Sequence, residues 1–175
     1  MRVISGKYKG KQLQGFDIEG TRPTMDRVKE SLFAMIQNDV KDSICLDLFA
    51  GSGSLGIEAL SNGAKKCYFV DKHKEISQIL KKNLFGIENS IIIQKDYELA
   101  LQELKGTKFD IIFLDPPYQK KLINPSIELI LKYDLIKLGG IIVCEYETEV
   151  IETSLKLLKE KKYGSKLIRI YQKEK

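Results

Sequence analysis

The 175-residue sequence predicts one α/β domain, a mostly parallel sheet wrapped on both faces by helices. Three observations lead there. From residue 44 onward, short β-branched runs alternate with longer amphipathic stretches. A glycine-rich loop follows the first of those runs, and no repeat, low-complexity segment or linker divides the chain. The length suffices to bury a core without disulfide or metal. The domain spans 1–175, with residues 1–23 as a basic N-terminal hairpin extension.

In chain order, RVIS (2–5) and KQLQ (11–14) predict a small hairpin. Thr24 is placed to cap a helix burying Val28, Leu32 and Ile36 at helical spacing. Strands are expected at ICLDLF (44–49), KCYFV (66–70), SIIIQ (90–94), FDIIFL (109–114) and GIIVCEY (140–146). Helices fall between them at about 54–62, 74–87, 97–104 and 121–132. After the fifth strand a helix is expected near 149–160. In KKYGSKLIRIYQ, Tyr163-Gly164-Ser165 predicts a turn between two strands, giving the sheet an antiparallel edge.

Composition narrows the function classes. No apolar run is long enough to cross a bilayer, and MRVISGKYKG lacks the hydrophobic stretch of a secretory signal, so no membrane association and a cytoplasmic location are expected. Cys45, Cys67 and Cys144 sit in apolar runs without CxxC spacing, which predicts buried free thiols rather than a zinc site or disulfide. His73 is the only histidine, which excludes a multi-histidine metal site; a solvated loop residue is expected there, and no metal is assigned. The net charge of +5 is unevenly spread. Residues 1–29 carry 7 basic against 3 acidic side chains and residues 156–175 carry 8 against 2, while the middle carries 14 against 19. Basic ends around an acidic middle suit a polyanion held by the termini, although solvated lysine faces give the same pattern.

The loop Asp47-Leu48-Phe49-Ala50-Gly51-Ser52-Gly53-Ser54-Leu55-Gly56 follows the first strand and enters a helix, where a Rossmann-type cofactor loop belongs. Gly51, Gly53 and Gly56 match the dinucleotide fingerprint, and Asp71 lies 20 residues beyond Gly51, where an acid holds ribose hydroxyls. A nicotinamide cofactor therefore stays open. Against it stands Asp47, whose carboxylate would repel a pyrophosphate. S-adenosylmethionine reverses that sign, because its sulfonium and ammonium are cationic and it carries no phosphate. Asp47, Phe49, Gly51, Ser52, Gly53, Gly56, Asp71 and Asp96 are the candidate cofactor residues. Asp96 would accept the adenine amino group, and it is equally well suited to capping a helix.

The fourth strand runs into Asp115-Pro116-Pro117-Tyr118. In a doubly wound sheet, ligands bind beyond the carboxyl ends of the strands at the chain reversal, so Asp115 should face the glycine loop. An exocyclic base amine is a poor nucleophile because its lone pair is delocalised into the ring. Acceptors that take its N–H groups favour the pyramidal nitrogen of the transition state. The Asp115 carboxylate and the Pro116 carbonyl supply two. Pro116 and Pro117 fix the backbone, and Tyr118 offers a stacking face for an extruded base. A rigid loop with a capping Asp is the structural alternative.

With both motifs in view, the chain resembles class I S-adenosylmethionine-dependent methyltransferases. Over almost its whole length it is similar to the bacterial 16S ribosomal RNA guanine-N2 methyltransferase D family. The segments that carry this are Arg2 to Lys11, Thr21 to Phe33, Asp47 to Gly56 with Glu58-Ala59-Leu60, and Asp115 to Tyr118. The resemblance implies a Rossmann-like, seven-stranded sheet in the order 3-2-1-4-5-7-6 and methylation of a guanine of 16S ribosomal RNA within the small ribosomal subunit. It also implies RNA-backbone contacts by Lys7, Lys9, Lys11, Arg22 and Arg27, and a monomer is expected. Asp71 replaces a commoner Glu, and Tyr97 follows Asp96 where a small residue is usual. A DNA adenine-N6 methyltransferase shares Asp115-Pro116-Pro117-Tyr118, but usually adds a target-recognition domain for which 175 residues leave no room. Protein-glutamine methylation, an NAD-dependent oxidoreductase and a non-catalytic RNA-binding module complete the alternatives.

Overall fold

The computed structural model describes residues 1–15 and 23–174. Seven strands form one sheet: β1 Ile44–Asp47, β2 Lys66–Val70, β3 Ser90–Ile93, β4 Phe109–Leu114, β5 Ile136–Tyr146, β6 Lys156–Tyr163 and β7 Lys166–Gln172. Their order is β3-β2-β1-β4-β5-β7-β6. β1 to β5 pair in parallel, and β7 runs antiparallel to both β5 and β6. The helices are α1 Pro23–Met35, α2 Gln37–Val40, α3 Ser54–Ser61, α4 Lys74–Asn83, α5 Tyr97–Glu103 and α6 Ile123–Lys132. Among the described residues no helix is long and apolar enough to cross a membrane.

The strands are apolar on both faces because helices cover both, and their residues alternate between two cores. Cys45, Ile111, Phe113, Ile141, Val143, Ile168 and Ile170 pack with Leu32 and Phe33 of α1, Ile57 of α3 and Leu80 of α4. Leu46, Ile112, Leu114, Ile142 and Cys144 pack with Leu101 of α5 and Ile127 of α6. This period of two also decides which residues past the strand ends share a face: Asp47, Asp115 and Glu145 continue the positions that face α1. The three cysteines are free and buried. Burial pushes the Cys45 thiol up to about 12.

The N-terminal hairpin is present. Arg2 and Gln12 form an antiparallel bridge, Val3 N–H donates to Lys11 O (2.9 Å), and Gly10 N–H to Val3 O (2.9 Å). Its apolar residues Val3 and Leu13 enter the α1-side core. Gly6 lies against α3 so closely that a Cβ would meet Ser61 O at 2.0 Å.

Two expectations need correction. The helix expected near 149–160 is absent: β6 occupies 156–163 as the sheet edge, and 149–155 connects it to β5. Antiparallel pairing with β7 takes up 156–163, leaving Leu157 and Leu158 exposed, while Ile151 and Leu155 pack against the α6-side core from the connecting segment. The lysines of β6 suit an edge strand that must not pair with another chain. Glu149, meanwhile, accepts the N–H groups of Ile123 (3.0 Å) and Asn124 (2.8 Å), satisfying donors at the start of α6. The second correction concerns Thr24. α1 begins at Pro23, a residue favoured at the first helical position, so Thr24 lies within the first turn rather than ahead of it. Val28, Leu32 and Ile36 are buried as their spacing predicts.

Candidate active site

One cleft of about 890 Å³ opens at the carboxyl ends of the parallel strands. Its lining includes the glycine loop, Asp71, Asp96 and Asp115-Pro116-Pro117.

At one end Asp47 lies almost wholly buried beneath the loop, and Gly56 N–H donates to its Oδ2 (3.1 Å). Burial raises the Asp47 carboxyl to about 7; the Gly56 hydrogen bond opposes the shift and the charge of Asp71 adds to it. Gly53 has φ +88°, and a Cβ there would meet Leu80 Cδ1 at 2.5 Å. The positive φ favours glycine there, and any side chain would also have to displace the buried Leu80 methyl. Gly51 N–H donates to Asp71 Oδ2 (3.1 Å), and His73 N–H donates to Asp71 Oδ1 (2.9 Å). The exposed His73 ring sits 3.2 Å from the same oxygen. Asp96 caps α5 by accepting Tyr97 N–H (2.7 Å) and also lines the cleft. Phe49 and Tyr97 pack with ring centroids 5.4 Å apart, extending one aromatic wall beside Asp96. Ser52 is buried, with its carbonyl accepting from Asn83 Nδ2 (2.8 Å).

At the other end Asp115 and Glu145 stand side by side, one residue beyond the paired Leu114 and Cys144 of β4 and β5. Burial, followed by the charge of Glu145, holds the Asp115 carboxyl well above the usual carboxylate range, and Lys166 offsets part of this. Lys166 Nζ donates to Glu145 Oε1 (3.1 Å). Pro116 is buried and Pro117 is exposed, with Tyr118 opening a short 3-10 turn to Lys120. The side chain of Tyr118 lies outside the described set.

The basic candidates do not gather in the cleft. Lys7, Lys9 and Arg27 are exposed, whereas Lys11 is half-buried and donates to Phe85 O (3.0 Å). Arg22 lies outside the described residues. Residues without a predicted role hold the loop and hairpin together. Lys29 and Glu58, both buried, pair at 3.2 Å, and Lys29 also donates to Arg2 O (2.6 Å) and Ser54 Oγ (2.9 Å). Glu58 accepts the N–H groups of Ile4 (2.9 Å) and Ser5 (3.0 Å). Desolvation lowers the Lys29 ammonium below its usual range, with the Glu58 charge opposing it.

A sheet of this order, with a glycine loop after β1 and Asp-Pro-Pro-Tyr after β4 opening into one cleft, is a Rossmann-like class I methyltransferase fold. The family model described as "Conserved hypothetical protein 95" matches residues 1–172. The "Ribosomal RNA small subunit methyltransferase D" of Haemophilus influenzae is 39% identical, covering 98% of this chain and 93% of that protein. The protein of the same name from Escherichia coli K12 is 35% identical, with 99% and 90% covered. The solved structure of yhhF from Escherichia coli superposes with a TM-score of 0.88 at 35% identity, covering 99% of this chain and 98% of that one. The chain belongs to this methyltransferase family.

Proposed function

We propose that the protein transfers the methyl group of S-adenosylmethionine to the exocyclic N2 amino group of a guanine in 16S ribosomal RNA of the small subunit. The observation that carries the proposal is the meeting, in one cleft, of a buried acid beneath the glycine loop with an acid and a proline carbonyl beyond β4. S-adenosylmethionine, when bound, supplies a methyl group on a cationic sulfur.

The residues fit that molecule. Asp47 lies buried, and among the described residues no cation pairs with it, a position that favours a cationic ligand over a phosphate. Asp71, fixed by two backbone N–H groups, has lone pairs left for ribose hydroxyls. The Phe49–Tyr97 wall offers a face for adenine, with Asp96 beside it. Across the cleft, Asp115 and the Pro116 carbonyl accept the two amino N–H groups, which aims the nitrogen lone pair at the methyl carbon. Tyr118 stacks on the extruded base. The exposed Lys7, Lys9 and Arg27 meet the RNA backbone, and the names of the Haemophilus and Escherichia relatives support ribosomal RNA as the polymer.

Labelled S-adenosylmethionine offered with small subunits, naked 16S RNA and duplex DNA tests the reading. N2-methylguanine in the subunit RNA is the expected product. N6-methyladenine as the sole product, or label found only in DNA, would overturn it.

A further inference from the structure

Asp-Pro-Pro-Tyr accounts for the amino group but not for how a guanine is told from an adenine, because both bases carry an exocyclic amine. Beside Asp115 lie two side chains that the motif leaves unused. Parallel pairing of β4 with β5 sets Glu145 next to Asp115, within reach of a shared hydrogen bond. Antiparallel pairing of β5 with β7 sets Ile168 opposite Glu145, so Lys166, two residues along, is its diagonal neighbour on the same face. Lys166 Nζ is 3.1 Å from Glu145 Oε1, and all three side chains line the cleft. Glu145 is only 7% exposed. With Asp115 ionised, the row across β4, β5 and β7 reads acceptor, acceptor, donor.

The Watson–Crick edge of guanine presents the complement in the same order: N2–H donor, N1–H donor, O6 acceptor. Adenine presents its amino donor beside N1, an acceptor, which would turn a lone pair toward a buried carboxylate. Cytosine has the same mismatch. A base taken out of its stack is recognised through this edge. We propose that Asp115, Glu145 and Lys166 read the guanine edge together, with Glu145 accepting N1–H and Lys166 donating to O6, so that Glu145 is the specificity-determining residue. The proposal rests on the guanine-N2 reading above. It also accounts for two acids facing each other in a half-dry site: with no base present, burial and mutual repulsion hold a proton on the Asp115 side, and two N–H donors take its place when guanine enters.

The test uses small subunits reconstituted with 16S RNA that carries either guanine or 2-aminopurine at the mapped target position. 2-Aminopurine keeps the C2 amino group, but its N1 is an acceptor and it has no O6. The wild-type enzyme should show a kcat/KM at least about 100-fold lower on 2-aminopurine, since a site built to accept an N–H rejects a base lacking it. In Glu145→Gln the amide donates to an N1 acceptor. Guanine methylation should then fall about 100-fold while 2-aminopurine methylation holds or rises. Lys166→Met should slow guanine about tenfold and leave 2-aminopurine within about threefold. A residue that only braced the sheet would slow both bases alike. Binding of S-adenosylhomocysteine, measured by calorimetry, verifies that each variant is folded. The proposal is overturned if the wild-type enzyme treats the two bases within about threefold of each other, a result that needs no variant, or if Glu145→Gln keeps the wild-type ratio. N2-methylguanine formed with a flat ratio removes only the roles of Glu145 and Lys166, whereas N6-methyladenine removes the guanine reading itself.

Discussion

The two ends of the cleft hold their acids in different ways. Beneath and beside the glycine loop, the carboxylates of Asp47 and Asp71 are fixed by backbone N–H groups of Gly56, Gly51 and His73. Beyond β4 and β5, Asp115 and Glu145 face each other and Lys166, so their partners are side chains. Backbone partners cannot turn away, which suits an end that must be preformed for one invariant ligand. Side-chain partners can exchange a shared proton for the N–H groups of a base. On the proposed reading, the first arrangement would serve as a rigid socket, and the second as a site that changes protonation state as it fills.

The largest effects should fall on opposite sides of this division. Asp115→Asn removes the charged acceptor and is expected to lower kcat by about 10²- to 10³-fold while S-adenosylhomocysteine binding stays within about twofold. Asp71→Asn should do the reverse, weakening that binding by about 10- to 100-fold, the worth of hydrogen bonds to a charged group, with a smaller change in kcat. Calorimetry beside single-turnover kinetics separates the two. If Asp115→Asn weakened cofactor binding as much as Asp71→Asn, the ends would not be independent and the division would fail.

Much of the rigid end was legible in the sequence, because its signals are local. The spacing of Gly51, Gly53 and Gly56 after an apolar run fixes a strand, a turn and a helix, and Asp47 and Asp71 fall at strand ends by counting. Less of the adaptable end was legible. Asp115 carries a motif, but Glu145 and Lys166 acquire meaning only through the pairing of β4, β5 and β7. One signal was present: Ile141 and Val143 face α1, and an acid at 145 continues their period of two into the cleft. The Lys29–Glu58 pair was hidden for the same reason, since it joins α1, α3 and the hairpin across 29 residues of sequence. The expected helix at 149–160 failed where local pattern was the only guide. A charged run with paired leucines fits a surface helix and an exposed edge strand equally well, and the capping of α6 by Glu149 is a tertiary contact.

An effect of intermediate size tests whether the socket awaits a cation. The unfolded Asp47 titrates near 3.8 and the folded one near 7, so the folded state binds the extra proton between those values. Stability contributed by this group therefore falls as pH rises from about 4 to 7, reaching a loss of about 4 kcal/mol above pH 7. Asp47→Asn keeps an acceptor for Gly56 N–H and removes the slope. Its Tm should match the wild type near pH 4 and exceed it near pH 8, while its affinity for S-adenosylmethionine drops. A cationic ligand stabilises ionised Asp47, so binding at pH 6 should release protons, seen as a calorimetric enthalpy that varies with the ionisation heat of the buffer. Equal Tm profiles for the two proteins would place the Asp47 charge outside the balance of the socket.

The smallest effect belongs to the surface, and it sharpens the division by extending it outward. If RNA reaches the adaptable end with its backbone along the hairpin, the exposed Lys7 and Lys9 each displace counterions from phosphates, whereas the enclosed cofactor does not sense bulk salt. The double variant Lys7→Ala, Lys9→Ala should weaken binding of small-subunit RNA and lower the magnitude of the slope of log K against log salt by about 2, one per phosphate contact. S-adenosylhomocysteine affinity should not move with either salt or substitution. Lys11 provides the internal contrast: its ammonium is engaged by the Phe85 carbonyl, so Lys11→Ala should change the slope less than either neighbour. An unchanged slope in the double variant would place the RNA path away from the hairpin, and the basic β6 edge with Lys156, Lys159, Lys161 and Lys162 would be the next surface to neutralise.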